Sequence, residues 1–171
     1  MRSRRTRRTS GLVALALAVA ALAVGATTPA LAGSQVPFKG SDVGTFTLTV
    51  GGICPAGWFQ VDISGTGNAT HLGRYAYAAR ECFNPSSGAF GGTFTLTAAN
   101  GDEVRGTYDG QVSGTSDPDL AAYHEDGDIT GGTGRFASAN GTLEIDGLAN
   151  LATGEYSQTL SGHITSPGAA K

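Results

Sequence analysis

The segment AAYHEDGDITG (121–131) places a carboxylate where a β-strand should be apolar. Tyr123, Glu125 and Ile129 recur with a two-residue period and share one face, while His124, Asp126 and Asp128 share the other. If Tyr123 and Ile129 mark an inner face, Glu125 leaves water with them. An unpaired carboxylate there is costly, and burial favours its protonated form, which raises its pKa towards the range useful for general acid or base work. Two other outcomes compete: an ion pair with Arg74, Arg80 or Arg105, or a bulge at Gly127 that turns Glu125 outward. His71 is a second candidate. It alternates with Gly73, Tyr75 and Tyr77 in NATHLGRYAYA (68–78), and on an inward face it would act as acid or base at the mouth of an enclosed space. No Ser, Cys or paired acid stands beside it, so a hydrogen-bonded structural role is the plainer reading. Tyr75, Tyr108, Tyr123 and Tyr156 would line the same interior, either touching a ligand or filling a core.

Other motifs offer less chemistry. DPDLAAYHEDGD (117–128) contains six potential metal ligands, but neither EF-hand nor zinc spacing is present. With His124, Asp126 and Asp128 on the outer face, it reads as a solvated acidic strand, and no metal is assigned. GGTGRF (131–136) resembles a phosphate loop but lacks the Gly-Lys-Ser/Thr ending, and no helix convincingly follows. The better reading is a corner whose glycines permit positive φ and close backbone approach while Phe136 plugs the end of the fold. No cofactor is expected. Asn68-Ala-Thr and Asn140-Gly-Thr match the glycosylation sequon, a pattern short enough to arise often by chance.

Cys54 and Cys82 are the two cysteines. Strand-like WFQVDISG and NATHLGRYAYA flank Gly-Thr-Gly-Asn (65–68), and a hairpin centred there brings Cys54 within about three residues of the position facing Cys82. The Pro55-Ala56-Gly57 loop takes up the difference. Neither cysteine has a flanking His or other base to lower its pKa, which favours a disulfide over a thiol nucleophile. Such a bridge contributes roughly 3 kcal/mol.

The elements that must position these groups are short alternating segments separated by Gly, Asn, Asp and Pro. VPFKGSDVGTFTLTV (36–50) sets Phe46, Leu48 and Val50 on one face against three threonines. WFQVDIS and NATHLGRYAYAARE follow, then AFGGTFTLTA with Phe90, Phe94 and Leu96 together, and DEVRGTYDGQVSG with Val104, Tyr108 and Val112. AAYHEDGDITG, GTLEIDG and EYSQTLSGHIT complete eight strands, most joined by tight turns. One apolar face per strand suits an antiparallel sheet buried on one side. Closing eight of them abolishes the edges and encloses a packed or narrowly hollow interior. The alternative is a two-sheet sandwich. An all-β, up-and-down antiparallel barrel is favoured because neighbouring strands are sequential, with no long Greek-key return.

The glycine-rich corner also carries a family resemblance. Gly131-Gly132-Thr133-Gly134-Arg135-Phe136-Ala137-Ser138-Ala139-Asn140-Gly141 resembles the GGTG-x-F-x-x-A-x-G signature of dirigent proteins and plant allene oxide cyclases, which share a calycin-like eight-stranded barrel. GTGNATHLGRYAYA (65–78) and GTFTLTAANGDEVRGTYDG (92–110) resemble small secreted bacterial proteins grouped with that barrel. The resemblance spans most of residues 36–165. It implies a cofactor-free protein that holds a reactive apolar molecule in the barrel mouth, and a possible homotrimer. The cyclases use an early-strand glutamate with Asn and Pro; here PFKGSDVGTF offers Asp42 without that arrangement, so no catalytic residue carries over.

Residues 1–32 read as a secretory signal peptide: five arginines, the apolar run GLVALALAVAALAVGA and an Ala30-Leu31-Ala32 cleavage pattern. The run is too short for a membrane anchor and no stop-transfer charges follow. Arg7-Arg8 is compatible with twin-arginine export, although the general secretory route fits better. Residues 33–171 then form one domain. Five of the 11 basic residues fall in the leader and none of the 14 acids, so the remainder is strongly acidic. That balance disfavours nucleic acid and anionic membrane as partners. Two functions are expected to compete: a secreted barrel binding a small apolar molecule, or a cofactor-free cyclase or isomerase using Glu125, His71 or a cavity tyrosine.

Overall fold

The computed structural model describes residues 34–165 and Pro167; the expected leader lies outside the described residues. The strands are β1 Gln35–Val50, β2 Phe59–Ala69, β3 Gly73–Phe83, β4 Ala89–Ala98, β5 Glu103–Gly114, β6 Leu120–Gly132, β7 Gly141–Asn150 and β8 Glu155–Thr165. All pair antiparallel in sequence order, and β8 returns to β1, so the sheet closes into an eight-stranded up-and-down barrel. Closure satisfies every strand edge with another strand, which a sandwich would not do.

Strand β1 makes the closure. Its residues 35–45 pair with β8 while residues 40–50 pair with β2. The two ladders overlap at Gly40–Thr45, and a Cβ on Gly44 would lie 2.1 Å from the Ser64 carbonyl oxygen. Glycine also makes room inside. Added Cβ atoms at Gly106, Gly110 and Gly147 would meet the rings of Phe94, Phe90 and Tyr123 at 2.5, 2.5 and 2.1 Å. Each ring lies across a glycine of the adjacent strand, the small-against-large pairing that a narrow barrel needs.

One end of the barrel is solid. Phe38, Leu96, Val104, Ile164 and Phe136 are almost wholly removed from water. Phe136 arrives on a short 3-10 turn, Gly134–Phe136, between β6 and β7. Gly134 has φ +55° and a Cβ there would strike the Asp102 carboxylate, so the corner depends on glycine. The glycine-rich stretch is therefore a corner that seats a hydrophobic plug.

Three local expectations need correction or choice. The β2–β3 hairpin does not turn at Gly65–Asn68. Its register runs from Phe59 opposite Phe83 to Ala69 opposite Gly73, so the reversal is Thr70-His71-Leu72, with His71 itself at φ 64°. Gly65 and Gly67 serve close approach instead: Cβ atoms there would meet the Tyr156 hydroxyl at 2.3 Å and the Ser41 carbonyl at 2.2 Å. The disulfide nonetheless forms, with Sγ–Sγ 2.02 Å, because Cys54 lies in the β1–β2 loop beside the end of β3. Lastly, the register irregularity falls between Arg105 and Gly106 opposite Thr130, not at Gly127, so Glu125 stays in phase with Tyr123 and Ile129.

Candidate functional site

The other end of the barrel is open and leads to a cavity of about 200 Å³. Its walls include Phe46, Ile63, Phe83, Phe90, Tyr123 and Tyr156. Glu81, Glu125 and Gln158 are the polar side chains among apolar neighbours. The Cys54–Cys82 bridge pins the β1–β2 loop to β3 at this same end.

Strand alternation explains how acids reach the interior. In β3 the buried positions are Tyr75, Tyr77, Ala79 and Glu81, in β8 they include Tyr156, Gln158, Leu160 and Ile164, and in β1 they are Phe38 and Asp42. Each polar member occupies a phase set by apolar neighbours, so the fold imposes its burial. The interior thus holds Asp42, Glu81 and Glu125, while no Lys, Arg or His is buried among the described residues.

The three carboxyls differ in how they are satisfied. Asp42 accepts from Tyr75 at 2.7 Å, from Tyr156 at 2.8 Å and from the Gln158 amide at 3.2 Å. The Gln158 carbonyl in turn accepts from Tyr123 at 3.0 Å, which fixes the amide's orientation. Glu81 accepts from Tyr108 at 2.7 Å. Glu125 is 3% exposed, and its Oε2 is the one buried side-chain polar atom without a partner among the described residues. The arginines weighed as partners are elsewhere: Arg80 pairs with Asp62 and Arg105 with Glu103 on the outside, and Arg74 is exposed.

Electrostatics follow from this inventory. Burial raises Asp42 above the ordinary carboxylate value despite its three donors. Burial pushes Glu81 up to about 7, opposed by the Tyr108 hydrogen bond. Burial first, then the proximity of Glu81 and Asp42, pushes Glu125 up to about 9. At neutral pH Glu125 is therefore a neutral acid, able to donate a proton or a hydrogen bond into an apolar space. Tyr75, Tyr108, Tyr123 and Tyr156 are held well above the usual phenol value, chiefly by burial, and remain protonated donors.

The structure brings Glu125, Tyr123 and Tyr156 to the cavity and sets Tyr75 and Tyr108 behind them as donors to Asp42 and Glu81. His71 does not join them. It sits in the β2–β3 turn, at the plugged end of the barrel, exposed and 3.2 Å from the Pro37 carbonyl oxygen. The strand begins only at Gly73, so the alternation that would have turned His71 inward does not extend to it. His124 faces solvent with Nδ1 2.8 Å from Asp146, a hydrogen bond that raises its pKa. Glu81 and Gln158 were not singled out from sequence, and Asp42 was noted only as an early-strand acid, although two-residue spacing from Phe38, Tyr75 and Tyr156 points to the interior for each. Among the described residues no group of three or more His, Cys, Asp or Glu is arranged to hold a metal ion, and no helix is long and apolar enough to cross a membrane. Comparisons of the chain with family models, characterised proteins and solved structures found no match.

Proposed function

We propose that this chain is a secreted β-barrel that binds a small apolar molecule in its open end, with the molecule's polar group directed to Glu125. The observation that carries this reading is the unpartnered Glu125 Oε2 in the wall of an otherwise apolar cavity. A buried polar group without a partner costs about 1–3 kcal/mol, and a ligand that supplies the partner recovers that cost. The cavity volume exceeds the ~150 Å³ that accommodates a benzene ring, and falls below the ~300–1,000 Å³ of drug-sized sites. A compact ligand is therefore indicated. The leader-like residues 1–32 and the disulfide support export to an oxidising compartment.

A second reading is favoured by the two acids themselves. Glu81 near 7 and Glu125 near 9 share one cavity, so a proton acceptor and a proton donor coexist at neutral pH. A cofactor-free isomerase or cyclase acting on a reactive apolar substrate, as the dirigent and allene oxide cyclase resemblance suggests, would use that pair. Mass spectrometry of small molecules extracted from the purified protein tests the binding reading. One apolar species near one equivalent is expected, lost in Ala121→Phe, which fills the cavity wall. Equal recovery from both proteins would exclude the barrel interior as its site.

A further inference from the structure

The barrel interior holds acids without bases, and one of those acids also lacks a hydrogen-bond partner. Three carboxyls, from β1, β3 and β6, point inward, and no basic side chain among the described residues is buried with them. Natural interiors rarely hold acids without a counter-cation or a full set of donors. Asp42 has donors and Glu81 has one, but Glu125 Oε2 has none. The wall of the cavity that Glu125 lines is largely aromatic. Phe46, Phe83, Phe90, Tyr123 and Tyr156 line it, and Phe90 meets Tyr123 edge-on with ring centroids 6.3 Å apart. Aromatic faces attract cations electrostatically, more so when water is excluded.

We propose that the ligand is an amine: a compact apolar body bearing one ammonium group that pairs with Glu125 against the aromatic wall. This rests on the binding reading given above and adds the ligand's charge to it. A neutral ligand could satisfy Oε2 with a single hydrogen bond, but it would bring no positive charge to an interior whose buried carboxyls have no basic partner among the described residues. An ammonium supplies three donors and a charge, and its apolar body occupies the outer cavity wall. A carboxylate ligand meets three interior acids and is rejected.

The proton balance is explicit. The ammonium form of the ligand meets Glu125 as the neutral acid, the carboxyl O–H bond breaks, and its proton leaves to solvent. The product is an ammonium–carboxylate pair. The groups near Glu125 are Asp42 on β1, Glu81 and Tyr77 on β3, Tyr108 on β5 and Tyr123 on β6, with Tyr156 and Gln158 on β8 lining the same cavity. Strands β2, β4 and β7 present Val61, Phe90 and Ile145 there, which do not titrate. The tyrosines stay protonated, so proton release on binding reports the carboxyls.

Isothermal titration with 2-phenylethylamine, 2-phenylethanol and phenylacetate at pH 7.5, repeated in buffers of different ionisation enthalpy, tests this. The amine should bind at least about tenfold more tightly than the alcohol, release close to one proton per ligand, and lose both advantages in Glu125→Gln. Phenylacetate should not bind. If amine and alcohol bind equally with no proton release, the amine proposal is overturned while the binding reading stands. If none of the three binds and apolar molecules also fail to co-purify, both are overturned. Thermal melts of Glu125→Gln alongside the wild type establish that the variant is folded, and Glu125→Asp, which keeps a titratable carboxyl, should retain proton release.

Discussion

Tyr108 on β5 donates its hydroxyl proton to Glu81 at 2.7 Å, while Oε2 of Glu125 on the next strand has no donor. That difference, together with the nearby charges of Glu81 and Asp42 acting on Glu125, separates the two acids' pKa values, about 7 against about 9. A donor stabilises the ionised form; burial without one stabilises the neutral form. The cavity thus carries one acid that titrates near neutrality and one that stays protonated through it.

Removing the Tyr108 hydroxyl should push Glu81 further up. In Tyr108→Phe the carboxylate loses the group that favours its charge, so its midpoint should rise above about 7. Stability should fall by about 1–3 kcal/mol for the orphaned acceptor. Carboxyl ¹³C shifts followed across pH measure the midpoint. An unchanged or lower midpoint would contradict the assigned role of the hydrogen bond.

Stability should fall as pH rises. Both glutamates have folded-state pKa values above their ordinary 4.5, so the folded chain binds more protons than the unfolded chain from pH 4.5 upward. Their contribution is fully present below about pH 4.5, is lost as pH rises through about 7 for Glu81 and about 9 for Glu125, and is flat beyond that. The loss is on the order of several kcal/mol, larger for Glu125 than for Glu81. Glu125→Gln does not titrate, so its denaturant midpoint should decline less between pH 5 and 9. Parallel curves for the two proteins would contradict a buried, neutral Glu125.

The two ends of the barrel should be separable. Phe136 is 1% exposed in the plugged end and lines no part of the cavity. Phe136→Ala should cost about 3–5 kcal/mol in urea unfolding. Affinity of the remaining folded protein for the same small molecule should stay within about twofold, since the plug and the site share no residue. A large affinity loss would mean that the plug shapes the site.

Much of this fold was legible because strand alternation carries its own geometry. Tyr123, Glu125 and Ile129 share a face in the sequence and in the barrel, and the GGTGRF corner seats Phe136 between β6 and β7. The position of the β2–β3 turn was not legible. Gly65 and Gly67 look like turn residues, but they are there because β1 and Tyr156 pass too closely for a side chain, a tertiary fact with no local signature. That error carried His71 into a strand it does not belong to. Asp42, Glu81 and Gln158 were legible in principle from their phase, but a lone acid on a strand ordinarily marks the solvent face. Only closure of the sheet shows that β1, β3 and β8 bring those side chains towards Glu125 from other walls of the barrel.

The central claim is that the open end admits a small apolar molecule at Glu125. Chemical-shift mapping of the ¹⁵N- and ¹³C-methyl-labelled protein during separate titrations with 2-phenylethylamine and 2-phenylethanol tests it most directly. Saturable shifts should concentrate at Ile63, Val112, Ala121, Tyr123, Glu125 and Ala149, with Phe136, Leu96 and Ile164 unmoved. Shifts confined to the outer strand faces, or none that saturate, would contradict it.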